Sequence, residues 1–268
     1  MSSRQGIVSR LKKKKIEEVL AGGKRMDGRS FDQYRDIVIN TGVIDKAEGS
    51  AECFLGKSRV IVGVKVGLGT PFEDTPDKGV LMCNAEYTPI AHPTFEPGPP
   101  DENSIELARV VDRGLRSAEI IDFSKLALVP GKVVQMVHVD IYVINYDGNL
   151  IDCSALAAIA ALQATKMPVY KVKDGEVELT NKKQDLKLRC MPVAVTFVKI
   201  GDQLIVDPSV DEEEVMDMRL TLTLDENNNI CTTQKSGSEG LTQEEIKKGI
   251  NMAVEKAAEN RSKITGTD

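Results

Sequence analysis

Between residues 50 and 66 apolar and polar positions alternate, with Gly56, Lys57 and Ser58 interrupting and valines following at 60, 62, 64 and 66. A period of two places successive side chains on opposite faces of a strand, so this stretch predicts a β-hairpin. Further strands are predicted over VLMCNAEY (80–87), after the turn-rich TPFEDTPDKG, and over about 132–146. In the last of these Val133, Val137, Val139, Ile141 and Val143 share one face, and His138, Asp140 and Tyr142 the other. Helical spacing appears over 103–121, with Ile105, Ala108, Val111 and Leu115 predicted to face the core. The proline-rich HPTFEPGPPDEN precedes it, and Asp101 or Asn103 can cap it. Asp147 and Gly148 turn the chain into SALAAIAALQATK, whose small side chains permit close packing against a sheet or another helix.

The second half repeats this plan in shorter form. Strands are predicted near 192–199, 203–207, 216–224 and 230–235. A final helix opens on a capping box, Thr242 to Glu245, and carries an apolar stripe of Ile246, Ile250, Ala253, Val254 and Ala257. Each half is mostly strands closed by helices, so the pattern implies an α+β architecture with a pseudo-duplicated unit. Its divisions are a basic N-terminal helix (1–24), a first half (25–170), a Lys-rich link turned at Asp174 and Gly175 (171–188), a second half (189–263) and a tail (264–268).

Composition narrows the function. Apolar residues at 41% and charged residues at 28% are ordinary for a globular chain of 268 residues. Cys53, Cys83, Cys153, Cys190 and Cys231 are widely spaced and odd in number, which fits neither a disulfide scaffold nor a zinc site. With no apolar run able to span a bilayer, the expectation is a cytoplasmic protein that does not enter membranes. The net charge is −6, but residues 1–25 carry eight Lys or Arg against Glu17 and Glu18, which leaves the remainder at −12. Such a surface repels phosphate backbones unless positive charge is gathered in one place. The run from Lys12 to Lys15 lies in an amphipathic stretch with Leu11, Ile16, Val19 and Leu20, and reads as a solvated helix face. The absence of Trp, with only five Tyr and six Phe, argues against a base-stacking platform.

Several motifs have plain structural readings. The Gly56-Lys57-Ser58 turn lacks the glycine that a phosphate-binding loop needs at position 51, which is Ala51. His92 and His138 have no paired ligands at metal-binding spacing, and the acidic run at 211–217 reads as a solvated link. Arg109, Arg113 and Arg116, at i, i+4 and i+7, fall within about 60° of one another on a helix turning about 100° per residue. Two readings stay open for them: ion pairing with Glu106 and Asp112, or a clamp on RNA phosphates or carboxylates, for which guanidinium is suited.

Those arginines lie within FEPGPPDENSIELARVVDRGLR (95–116). That segment, RMDGRSFDQYR (25–35), GSAECFLG (49–56), PFEDTPDKG (71–79), VDPSVDEEEVMDMRLT (206–221) and TTQKSGSEGL (232–241) together resemble the non-catalytic RNase PH-type ring subunit of the archaeal RNA exosome. The resemblance covers about residues 20–260. It implies the RNase PH fold, an α+β fold of two similar βαβ-type units with mixed sheets packed against helices, and a hexameric ring, a trimer of heterodimers in which this chain alternates with an active RNase PH-like subunit. It also implies RNA-binding cap subunits and single-stranded RNA as partners. Active members cleave RNA from its 3′ end with inorganic phosphate, which needs a cationic cradle, commonly at a helix N-terminus, and carboxylates.

By the same resemblance this chain departs from the active pattern. Asn149, Leu150 and Ile151 stand where active members carry Gly-Thr-Arg, so the phosphate-binding Thr and Arg are replaced by Leu150 and Ile151. Asp152, near the start of the helix, is expected to cap its free N–H groups and repel a second anion. Cys190 replaces the Asp preceding the Met-Pro-Val strand, and Gln184 a second acidic residue, with Asp185 adjacent. No catalytic residue, metal ligand or cofactor of its own is therefore expected; phosphate, with any divalent metal, belongs to the partner. Arg109 and Arg113, and more weakly Arg116, are implied to reach RNA. Arg25 and Arg29 are expected to bind carboxylate or backbone. The alternatives are an autonomous phosphate-dependent exoribonuclease relying on Asp185, and an RNA-binding scaffold unrelated to degradation.

Overall fold

The computed structural model describes residues 2–173 and 175–266. Helix α1 (Ser2–Ala21) precedes a first unit of β1 (Ile37–Thr41), β2 (Gly49–Leu55), β3 (Ser58–Gly69), β4 (Val80–Tyr87), α2 (Glu102–Ser117), β5 (Ala127–Val129), β6 (Val133–Asn145) and α3 (Leu150–Gln163). An antiparallel hairpin, β7 (Lys166–Lys173) and β8 (Glu176–Asp185), leads to a second unit. That unit contains β9 (Val193–Ile200), β10 (Gln203–Val206), the short α4 (Val210–Glu213), β11 (Met218–Leu224), β12 (Ile230–Gly237) and α5 (Gln243–Thr265). The first sheet has the order β1-β2-β3-β6-β4, with β4 parallel to β6 and β5 along β6. The second, β10-β9-β11-β12, is antiparallel throughout.

The α+β plan of two strand-and-helix units is as the pattern predicts, and α3 explains why they cohere. Every residue of α3 from Leu150 to Leu162 is buried, because the helix packs on β2 and β3 of the first sheet and on β9 of the second. A helix enclosed on all sides needs apolar residues all round, and alanines let both sheets approach closely. Gly148, at φ +92°, sets the turn before it; a Cβ there would stand 2.4 Å from the Pro208 carbonyl of the second unit.

Some expectations are corrected. Ile105 is 48% exposed, since the core face of α2 is rotated toward Leu107, Val110 and Gly114. Ile246 is likewise exposed, because the buried face of α5 begins one turn later, at Gly249. The span read as a link holds the end of β7 and all of β8, so the link is itself a hairpin; Asp174 lies outside the described residues. The α5 helix continues through Ile264 and Thr265 to a left-handed cap at Gly266, and residues 267 and 268 lie outside the described residues.

The acidic 211–214 segment is not a solvated link. Glu212 is buried and receives Nε and Nη2 of Arg25 at 2.9 and 2.5 Å, while Arg25 Nη1 and Nη2 also donate to the carbonyls of Val206 and Asp207. Asp211 and Glu214 pair with Lys12 at 2.6 and 2.5 Å, and Asp217 pairs with Lys13. Half the lysine run is thus clamped to this segment, while Ile16 and Leu20 pack on Val198, Ile200 and Ile205. Lys14 and Lys15 remain exposed.

Asp207, fully buried at φ +46°, joins the units. Its carboxylate accepts from Arg29 Nη1 (2.7 Å), from Arg35 backbone N, Nε and Nη2 (2.8, 2.9 and 2.7 Å) and from Asn149 Nδ2 (2.9 Å). Burial alone would raise this carboxyl, but the bonds and charge of Arg35, with Arg29, hold it below the usual carboxylate range. We predict that Asp207→Ala costs about 3–5 kcal/mol, because it strands two largely buried guanidiniums. A carboxyl depressed in the fold stabilises above its unfolded pKa, so the gap between wild type and variant should be full near neutral pH and close as pH falls below about 4. Equilibrium denaturation across that range checks both statements; a loss under about 1 kcal/mol at neutral pH contradicts them.

Candidate functional site

The two expected constellations lie on α2 and at the start of α3. On α2 the N-terminus is capped by Asp101, whose Oδ1 accepts the Ser104 N–H at 2.8 Å. Leu107, Val111 and Leu115 seat the helix and leave Arg109, Arg113 and Arg116 exposed along one face. They differ in what holds them. Arg116 donates to Asp112 at 2.8 Å and to the Leu81 carbonyl, so it is strapped to β4. Arg113 makes one neutral bond, to Gln234 Oε1 on β12 at 2.9 Å, and Arg109 makes none among the described residues. Glu106, an alternative partner for this face, instead binds Arg219 at 3.1 Å.

The start of α3 differs from expectation. The cap is Asn149, in left-handed conformation, whose side chain accepts the Asp152 N–H. Asp152 does not cap the helix: its carboxylate points into the interior, accepting Tyr34 Oη (2.6 Å), Asn149 Nδ2 (2.8 Å), Thr196 N (2.9 Å) and Thr196 Oγ1 (2.7 Å). The third residue of a helix packed between two sheets has no solvent face to turn toward, and β9 supplies the donors. A different carboxylate faces the helix end. Glu213 Oε1 accepts the Asn149 N–H at 3.0 Å and Glu213 Oε2 the Tyr146 hydroxyl at 2.7 Å. Burial pushes this carboxyl upward against those bonds. Nothing in a sequence period could identify Glu213, since it sits in a run of acidic residues that looks uniformly solvated.

Leu150 and Ile151 are buried, at 6% and 5% exposure. They line a cleft of about 490 Å³ with Tyr87, His92, Phe95, Tyr146 and Glu213. His92 is part of an aromatic group there, 5.4 Å from the rings of both Phe95 and Tyr146. Behind Ile151, between α2, α3 and the second sheet, the seam reaching Pro192 and Ala194 holds only about 10 Å³, space for about one water. Cys190, two residues before Pro192, points at the C-terminal end of α2, its Sγ 3.0 Å from the Ala118 carbonyl, and burial with Glu226 nearby pushes its thiol up to about 11. Gln184 lines a separate cleft, and Asp185 is exposed and paired with Lys166. The four positions Leu150, Ile151, Gln184 and Cys190 therefore share no single cavity. Among the described residues no three His, Cys, Asp or Glu are placed to hold a metal ion, and no helix is long and apolar enough to cross a membrane. All five cysteines are free thiols.

Two units of this architecture, joined across α3, define an RNase PH-type chain. Residues 33–168 match the 3′ exoribonuclease family, domain 1, and residues 190–256 match domain 2 of the same family. The chain belongs to this family. It is 48% identical to the exosome complex component Rrp42 of Thermococcus kodakarensis, over 98% of this chain and 97% of that one. It is 44% identical to the exosome complex component Rrp42 of Methanothermobacter thermautotrophicus, over 96% and 95%. Among solved structures, a chain of the Archaeoglobus fulgidus exosome with RNA bound to the active site superposes with a TM-score of 0.87 at 45% identity, over 96% of this chain and 99% of that one. A chain of an archaeal exosome core gives 0.86 at 41%, over 98% and 99%.

The Asp152 carboxyl is fully buried. Burial outweighs its four donors and raises the carboxyl to about 6. The folded group holds its proton to higher pH than the unfolded one, so its contribution is full below the unfolded pKa and is lost as pH rises through the folded value. The unfolding free energy of wild type relative to Asp152→Asn is expected to fall by about 3 kcal/mol between about pH 4 and pH 7. Urea titrations across that range measure it, and a pH-independent difference rules the raised carboxyl out.

Proposed function

We propose that this chain is a non-catalytic subunit of an exosome, pairing with an active RNase PH-like subunit and offering Arg109 and Arg113 to single-stranded RNA beside that partner's site. The observation that carries this reading is the start of α3, where phosphorolysis would need free N–H groups and a cation. A carboxylate, Glu213, occupies the Asn149 N–H, and buried aliphatic side chains stand at 150 and 151. The Cys190 thiol and the Gln184 amide supply no carboxylate, and Asp185 is spent on Lys166. These residues favour a chain that contributes surface and architecture, with phosphate and any divalent metal used at the partner. The relatives named as exosome components support the assignment to that assembly.

The reading extends to an alternating hexameric ring of three heterodimers, bound by RNA-binding cap subunits, in the cytoplasm. Arg113 is held by one neutral bond, which a charged phosphate contact, roughly twice as strong, displaces. Arg116 has fewer donors to give, so the reading rests on Arg109 and Arg113.

The purified chain alone is expected to release no nucleoside diphosphate from 3′-labelled single-stranded RNA in phosphate buffer, and to do so once reconstituted with the active partner. Release by the chain alone would falsify the reading and make Asp185 the first residue to replace. In the reconstituted complex, Arg109→Ala and Arg113→Ala should each weaken RNA binding and lower the slope of log affinity against log salt by about 0.7 per lost phosphate contact. An unchanged slope returns that helix face to structural ion pairing.

A further inference from the structure

The open edge of the first sheet borders a recess of about 600 Å³ that shares Tyr87, Thr94 and Phe95 with the cleft at the start of α3 and has none of the α2 arginines in its lining. β4 ends the strand order, so one side of its backbone has no neighbouring strand. The guanidinium of Arg116 donates to the Leu81 carbonyl, which identifies the open side. Backbone groups in a strand alternate in direction, so those of Cys83 and Ala85 face the same way as those of Leu81. Below them α2 packs on β4 and holds the edge rigid.

The recess runs beside this edge under residues 94–101, between Asn84, Glu86, Tyr87, Phe95, Asp140 and Tyr142. In the β4–β6 register Asn84 stands opposite Asp140 and Glu86 opposite Tyr142, so carboxylates and an aromatic ring share one sheet face. Tyr142 is 41% exposed, and the rings of Tyr87 and Phe95 lie 4.7 Å apart at the inner wall. Neither Lys nor Arg lines this space. Among the described residues Glu86 and Glu96 have no ion-pair partner, and Asp140 accepts only the Asn84 amide, at 3.2 Å.

We propose that this edge takes an extended, Lys- or Arg-bearing segment of a partner protein, added as a strand along β4. Its cationic side chains would meet Glu86, Asp140 and the faces of Tyr142 and Phe95. The alternatives fit less well on charge. A nucleic-acid backbone would meet carboxylates with no cation between them. A purely apolar strand would take Glu86 and Asp140 out of water unpaired. A basic strand neutralises both, gains cation–π contact with the rings, and satisfies the open Cys83 and Ala85 backbone groups by strand addition. Unfilled, the same acidic edge would do no more than discourage sheet-to-sheet aggregation.

The test uses the full chain and a short fluorescent peptide in which Lys and Arg alternate with Val and Thr, followed by anisotropy. Saturable binding is expected, weakened about tenfold or more by the double substitution Glu86→Gln, Asp140→Asn. It should be abolished when alternate peptide amides are N-methylated, since that removes the donors of a strand pairing and leaves the charge intact. Glu86 is exposed and Asp140 half-buried on the sheet face, where an amide can still accept from Asn84, so an unchanged thermal midpoint verifies that the variant is folded. Absence of binding, equal binding by the variant, or equal binding of the methylated peptide each overturns the proposal. So does single-stranded RNA that binds the chain and is weakened by the same double substitution.

Discussion

The buried carboxylate of Asp207 is the interaction on which the arrangement of this molecule depends. It lies just after β10 of the second unit, yet its partners are Arg29 and Arg35 from before β1 and Asn149 from the start of α3. Asn149 bridges onward to Asp152, and Asp152 to Tyr34 and Thr196. A single chain of charge-assisted bonds therefore runs from the N-terminal stretch, through the end of the central helix, into the second sheet. Removing solvent from a carboxylate is costly, and only two guanidiniums with directed donors make that burial tolerable. The RMDGRSFDQYR stretch is thus architectural: Arg25, Arg29 and Arg35 are all consumed in holding residues 206–212, as the sequence leads one to expect for the first two.

This network also decides what the start of α3 can do. A helix N-terminus offers the equivalent of roughly half a positive charge. Here Glu213, delivered by α4, whose position follows from the Arg25 to Glu212 pair one residue earlier, already occupies the Asn149 N–H. One donor of that end is therefore taken by a side chain of the chain itself. Leu150 and Ile151 act in the same direction, since the side chains they turn toward the cleft there are apolar and supply no cation.

Features with a period in the chain are legible from the amino-acid sequence: the β2–β3 hairpin, the alternation along β6, the alanine-rich central helix and the exposed arginine face of α2. Features fixed by long-range partners are not. Glu212 and Glu213 look like two more members of an acidic run, and only Arg25, Tyr146 and Asn149, all distant in sequence, separate them from solvated Asp211. Asp152 has the composition of a helix cap, but burial of its helix on both sides turns it toward Thr196. Ile105 departs from expectation for a geometric reason. An i, i+3, i+4 stripe does not reveal which of its edges meets the sheet, and a face rotated toward Leu107 and Val110 leaves the isoleucine outside.

The distribution of ion-pair partners explains how an acidic chain can present cationic groups at all. Several of its arginines and lysines are paired within the molecule: Arg25, Arg29 and Arg35 with the second unit, Lys12 and Lys13 with the 211–217 segment, Arg219 with Glu106. Arg116 is divided between Asp112 and the Leu81 carbonyl. On α2, Arg109 and Arg113 are left with almost no internal claim. Over distances beyond about 8 Å at physiological salt the negative remainder of the surface is screened, so these two act locally. A pair of charges supplies too few phosphate contacts for tight binding alone, and it becomes effective when a neighbouring subunit continues the positive surface. On the function proposed, dependence on a partner therefore has two physical sources in this chain: a helix end partly occupied by its own Glu213 and flanked by apolar side chains, and an RNA-facing surface too small to work by itself.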